Sequence, residues 1–373
     1  MLNKLIKNYY YKIKYIVSEE GLFNLIIRIF RFLAYKVKRF VANDSIDYKS
    51  WQILKMKYHG QRVFLIANGP SLNKTPLHLL KNEITFCMNR FNLMFDRLPW
   101  RPDMFGICDD VVILDMLEEI SQIKKEVKYF FLPDIHPSSP VSVDYKKNIS
   151  NHEKILWFHP DKIGFSDKLP ALGINKTITN VAIQILVYLG FKEIYLVGVD
   201  LDYQTHDTVK DIDNRHLQSI SDNDPNHFDP RYFGSGRKYH IPRMKETLDK
   251  FKEAKQFCDK HNVKIYNATI GGKLEIFTRV DYTKVLNINP VDELNLLMGV
   301  LNLKNNGYKS FGEAFPEANK ISIVNDWNQD SEYIITPMEI GFDLIPKYVL
   351  SHIPLGPFNN EYLFIKRQEN VQQ

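Results

Sequence analysis

Seven polar residues share one sequence context. Asn68, Ser71, Asn89, Asp109, Asp110, Asp200 and Asn267 each stand at or just beyond the end of a short apolar run. Carboxamides and carboxylates in such places can read the edge of a base and the hydroxyls of a ribose. Any one of them is more readily a turn or cap residue. Their recurrence across five runs is what points to a shared site. Two histidines complete the set. An imidazole can take a proton from an attacking hydroxyl near neutral pH. His240 stands between a long polar stretch and a strong helical pattern, and His227, in Asn226-His227-Phe228, is its rival as base. A zinc reading of His206, His216 and His227 lacks a helical i, i+4 pair and a cysteine partner, so no metal is assigned.

The runs that must position these residues begin at Arg62–Asn89. Val63 to Ala67 is apolar and breaks into Asn68-Gly69-Pro70-Ser71; an amphipathic helical pattern and a second apolar run follow. This predicts strand, tight turn, helix and strand. Gly69 admits a close approach of backbone or ligand, Pro70 suits a first helical position, and Ser71 could cap the helix. Further strands are expected over Met104–Cys108, Val127–Leu132, Lys154–Phe158, Glu193–Val197 and Val263–Tyr266. Helical patterns lie over Val111–Glu126, Thr179–Leu189, closed by Gly190, and Arg243–His261. The alternation predicts an α/β fold, a doubly wound, mostly parallel Rossmann-like sheet that gathers the strand ends on one rim.

At the head of the helix before Gly190, Thr177 or Thr179 can act as cap, leaving free N–H groups that favour a phosphate. A plain cap without a ligand explains the same residues. The turn Asn68-Gly69-Pro70-Ser71-Leu72-Asn73 lacks the second and third glycines of a dinucleotide fingerprint, and no G-x-x-x-x-G-K-[ST] motif occurs. Leu201–Tyr239 is long, polar and without periodicity, as lids and binding loops are.

Composition bounds the rest. The chain has 373 residues, 44% hydrophobic and 25% charged, which suits a folded globular protein. A net charge of +5 gives no argument for nucleic acid. Three scattered cysteines, Cys87, Cys108 and Cys258, form no metal pattern and fit a reducing compartment. No apolar run reaches the roughly 18–20 residues of a membrane span, and no secretory signal is read. A cytoplasmic setting, with peripheral contact at the inner face of the membrane, is expected. The chain divides into residues 1–50, basic and helical; 51–286, the nucleotide-binding domain; and 287–373, an accessory region expected to add further helix, with Val291–Leu301 and Ile345–Ile353 helical and Ile321–Val324 strand-like. Leu22–Phe40 reads either as a helix packed on its own domain or as an interfacial helix drawn to anionic lipid.

Several stretches resemble known families. Ile66-Ala67-Asn68-Gly69-Pro70-Ser71-Leu72, Phe86-Cys87-Met88-Asn89-Arg90, the run Gly190–Asp200 and the run His240–Phe251 resemble the bacterial sialyltransferases of glycosyltransferase family 42. Arg101–Asp110 and Asn267–Gly272 are more similar to the 6-hydroxymethylpterin diphosphokinase MptE-like family. The likeness covers about Arg62 to Leu286. It implies Asn68, Ser71, Asn89 and Asp109 as nucleotide and donor residues, Thr177 against the donor phosphate and His240 as general base; Gly69, Thr179 and Asp200 join the donor-binding set from their own places at the turn, the helix head and a strand end. Asp202 stands where a phosphate-contacting tyrosine is expected, so Tyr203 or Tyr232 would take that role. Asn175 replaces an arginine and Asp109 an asparagine. The implied activity is an inverting glycosyltransferase without cofactor or metal, moving a sialic-acid-like keto-sugar acid from a CMP-activated donor to a glycan or glycolipid acceptor. Two rivals remain. One is a diphosphokinase with ATP and magnesium on Asp109, Asp110 or Asp200; the other is a non-enzymatic, membrane-docked protein of glycan assembly.

Overall fold

The computed structural model describes residues 46–286 except 76, 99, 137–142, 145–148, 150–154, 161 and 214–215. It also describes helical residues within 17–37 and residues 319–320, 333–337, 352–358 and 361–366. Helix α1 is Tyr48–Leu54, capped by the Asp47 carboxylate. Strands β1 (Arg62–Ile66), β2 (Thr85–Met88), β3 (Met104–Gly106), β4 (Tyr129–Pro133) and β5 (Ile155–Phe158) then follow. Between β3 and β5 lie helices α2 (Asp110–Asp115) and α3 (Leu117–Glu126), which break at Met116. Helix α4 (Ile178–Leu189) leads into strand β6 (Glu193–Val197), and helix α5 (Met244–Lys260) into strands β10 (Lys264–Asn267) and β11 (Thr278–Arg279). The short helix α6 (Tyr282–Leu286) closes this part.

The sheet has eight strands in the order β11-β10-β6-β1-β2-β3-β4-β5. Each neighbouring pair is parallel, so the expected α/β fold is present. A parallel strand covered on both faces reads as a continuous apolar run. In β1, Val63, Phe64, Leu65 and Ile66 are all buried. Rings stack across the strands, with Phe64 on Tyr195 and Tyr195 on Tyr266, both at 5.2 Å. Helix α4 is buried on every side, which explains its nearly unbroken apolar sequence. It ends at Gly190 with φ +94°, a left-handed conformation that glycine adopts without strain.

The topology places the crevice. The chain runs outward from β1 to β5, then returns so that β6 pairs with the other side of β1. In open α/β sheets ligands bind at such a reversal, beyond the carboxyl ends of the strands.

Three expectations are corrected. The helix after Gly69 is a 3-10 turn, Pro70–Lys74, and Ser71 lies within it and does not cap it. Three β-strands lie within the polar stretch after Leu201: β7 (Val209–Asp211), β8 (His216–Ser219) and β9 (Lys238–His240), an antiparallel sheet. Its strands are too short and too polar to show a period. At the far end, the described residues are strands and not helix: β12 (Asn319–Lys320), β13 (Tyr333–Pro337), β14 (His352–Phe358) and β15 (Glu361–Lys366) form one sheet. His352 and Ile353, expected in a helix, pair with Lys366 and Ile365. The expected elements over 291–301 and 321–324 lie outside the described residues.

Candidate functional site

The β1–β6 crevice is built on close backbone approach. Gly69 N–H donates to the Gly198 carbonyl at 2.9 Å. A Cβ at Gly69 would fall 1.6 Å from Asp200 Oδ2, so no other residue fits under that carboxylate. Ser71 Oγ donates to the same oxygen at 2.9 Å. Burial pushes the Asp200 carboxyl above its usual range, opposed by the Ser71 hydrogen bond.

Asn68 and Asn89 come together next to this pair. Asn68 Nδ2 donates to the Met88 carbonyl at 3.1 Å, one residue before Asn89. Asn89 takes φ +52°, a left-handed conformation that asparagine tolerates. The side-chain oxygens of Asn68, Asn89 and Asn180 are buried without a hydrogen-bond partner in the structure. Such groups in a cleft cost about 1–3 kcal/mol each unless something supplies a donor.

Helix α4 starts over the ends of β2 and β3. Thr177 Oγ1 accepts from Asn180 N–H at 3.2 Å and is the cap. Thr179 Oγ1 points to Met88 Sδ at 3.6 Å and is buried, so Thr179 serves packing there. Asn180 Nδ2 donates to the Asn175 carbonyl at 2.8 Å and fixes the approach loop. The free N–H groups of α4 remain the natural place for a phosphate.

The second cluster joins the lid to the sheet. Asp109, just past β3, caps α2 by accepting from Val111 N–H at 2.9 Å. His240 ends the lid strand β9, with Nε2 3.4 Å from Asp110 Oδ1 and 3.7 Å from Asp109 Oδ2. Its ring lies 4.6 Å from that of His216. Arg237 Nη1, just before that strand, donates to Asp115 at 2.6 Å and ties the start of β9 to α2. Asp109, Asp110 and His240 each offer one ligand atom within 4.8 Å of the others, the one such group among the described residues. The three histidines of the zinc reading instead go to separate partners: Thr208 for His206, Asp213 for His216 and Asp224 for His227.

The lid also carries a dyad. His227 Nδ1 lies 2.8 Å from Asp224 Oδ2, and the ring stacks on Tyr232 at 3.7 Å and 4°. Burial alone would raise the Asp224 carboxyl, but His227 and the N–H groups of Asn226 and Phe233 hold it below its usual range. Phe228 N–H donates to the Asn68 carbonyl at 3.1 Å, so the dyad is seated on the crevice turn. Tyr232 is 2% exposed, with its hydroxyl engaged by Asn89 and Arg90. Tyr203 Oη donates to Tyr239 Oη at 3.4 Å and is less deeply buried. Asn267 is spent on its own loop, donating to the Leu274 carbonyl and accepting from Thr269 N–H.

Sequence reasoning missed Asp224, Asp115, Arg90 and the buried pair of Arg97 and Asp229. Asp224 was signalled by its place three residues before His227, the spacing of a turn. Nothing local marks Arg97, which meets Asp229 across the fold at 3.9 Å.

Residues 39–206 match the family model described as 6-hydroxymethylpterin diphosphokinase MptE-like. No curated protein matches the chain. Among solved structures, the chain is similar to the MAf glycosyltransferase from Magnetospirillum magneticum AMB-1, with 15% identity and a TM-score of 0.39. The match covers 67% of this chain and 38% of that one. The chain thus spans well under half the length of that protein, and at this level the likeness carries no argument about the site.

Proposed function

We propose that the chain is an inverting glycosyltransferase that moves a sialic-acid-like keto-sugar acid from a CMP-activated donor to a surface-glycan acceptor. Asn68, Ser71, Asn89 and Asp200 would hold the nucleoside, and the α4 start at Thr177 its phosphate. The acceptor hydroxyl loses its proton to His240 and attacks the anomeric carbon, while the bond to the CMP phosphate oxygen breaks. The observation that carries this reading is the seat of His240. Its imidazole is 37% exposed, hence reachable, and lies beside two carboxylates that stabilise an imidazolium as the proton arrives. CMP carries a single phosphate, so charge neutralisation by a metal is not required. A thermal-shift screen tests the donor class. CMP is expected to raise Tm more than UDP, GDP or ATP, and a preference for ATP would contradict the reading.

One observation favours a second reading, metal-dependent diphosphoryl transfer. The grouping of Asp109, Asp110 and His240 could hold a divalent cation, and the family match points the same way. Two carboxylates suit magnesium, but an imidazole suits manganese or zinc better, so the fit to a magnesium–ATP site is partial. His240 as a ligand would also be lost as a base. Turnover is expected to survive EDTA; its loss on chelation and recovery on adding the cation would favour the second reading.

A further inference from the structure

We propose that the N-terminal helix docks the chain onto the surface of an anionic bilayer. The described residues within 17–37 are helical, and most of their large apolar side chains are exposed, Leu25 and Ile27 being half-buried. Phe23, Ile26, Ile29, Phe30, Leu33 and Val37 are between 42% and 75% exposed. At about 100° per residue, these six fall in one sector about 120° wide, the width of a buried helix face. Elsewhere the exposed large apolar residues, such as Ile53, Leu114, Ile163 and Ile220, are scattered along the sequence, whereas here six recur on one helix sector.

Charge selects the occupant. By sequence spacing, Arg28, Arg31, Lys38 and Arg39 recur in the opposite sector, and Lys36 flanks the apolar one. Residues 1–42 hold nine Lys and Arg against two Glu, a net +7. Since the whole chain carries +5, the remaining residues sum to −2. The net positive charge of the chain therefore falls in residues 1–42, which include the apolar stripe. An apolar face with a basic back is the pattern of a helix lying in the headgroup plane, held by burial and by attraction to anionic lipid. Among the described residues no helix is long and apolar enough to cross a membrane. A second copy of the chain would cover the apolar stripe but would bring two basic segments together.

The test is co-sedimentation of the full chain with vesicles of phosphatidylcholine alone and of phosphatidylcholine mixed with phosphatidylglycerol. Binding is expected to the mixed vesicles, with at least about tenfold lower affinity for the neutral ones. It should weaken strongly near 1 M salt, where the Debye length is about 3 Å. The double variant Phe23→Asp, Phe30→Asp is expected to lose about tenfold or more in affinity with Tm unchanged. The double variant Arg28→Gln, Arg31→Gln should lose the preference for anionic vesicles. Failure of the chain to bind mixed vesicles would overturn the proposal. So would equal binding to both vesicle types. Light scattering showing a dimer that the Phe23→Asp, Phe30→Asp variant dissociates, without vesicle binding, would assign the stripe to self-association instead. None of these outcomes depends on which donor the crevice takes.

Discussion

Asp200 carries a stability cost in the crevice. Its carboxyl is raised by burial, so the folded chain holds that proton more tightly than the unfolded chain does. The sign follows: this contribution to stability is complete below the unfolded carboxylate range and is lost as pH rises through the higher folded value. At neutral pH the ionised carboxylate is a cost. Asp200→Asn is therefore expected to raise the apo Tm at pH 7 by about 2 °C, with the gain vanishing toward low pH. The same variant should bind the nucleotide more weakly, since a charged acceptor near Ser71 is gone. A lower Tm at pH 7 would contradict this account of the crevice. At this scale the chemistry was partly legible. Asn68, Ser71, Asn89 and Asp200 share one rim as their positions after apolar runs suggested, because a parallel sheet brings those ends together. Ser71 was misread because a 3-10 turn is indistinguishable from a first helical turn by spacing alone. Its hydroxyl goes to Asp200, a partner far away in sequence.

Among the elements, the lid is the one that packing defines. Asp229 is fully buried between Arg231, at 2.7 Å, and Arg97, at 3.9 Å. Burial opposes its charge, but Arg231 and Arg97 outweigh it and hold the carboxyl below its usual range. Here the contribution is present above the unfolded carboxylate value and is lost as pH falls through the lower folded one. Replacing Asp229 with Asn leaves Arg97 buried without its countercharge. Such a loss is expected to cost about 3–5 kcal/mol at pH 7 in urea melts, with the penalty shrinking below about pH 4. An unchanged midpoint at pH 7 would show that the lid does not report on the fold. The lid was legible as a segment but not as structure. Strands of three or four residues, with Lys210, Gln218 and Lys238 among them, have no apolar face to reveal a period. Helix α4 is the opposite case: a continuous apolar run, a threonine before it and a glycine after it were sufficient.

For the whole molecule, the eight-stranded sheet followed from alternating apolar runs and helical patterns. The C-terminal strands did not, because β14 carries Pro354, Gly356 and Pro357 within seven residues. Proline and glycine argue against a strand interior, and only pairing with β15 makes one there. His240 and the rim of Asn68, Ser71, Asn89 and Asp200 are proposed to serve one reaction. Whether those parts act together is best measured on one variant, His240→Ala, in two assays on the same sample. CMP affinity by calorimetry is expected within about twofold of the parent, while transfer from a CMP-activated keto-sugar acid falls by about 10²–10⁴-fold. Undiminished transfer by the variant, or no CMP binding by the parent chain, would contradict the account.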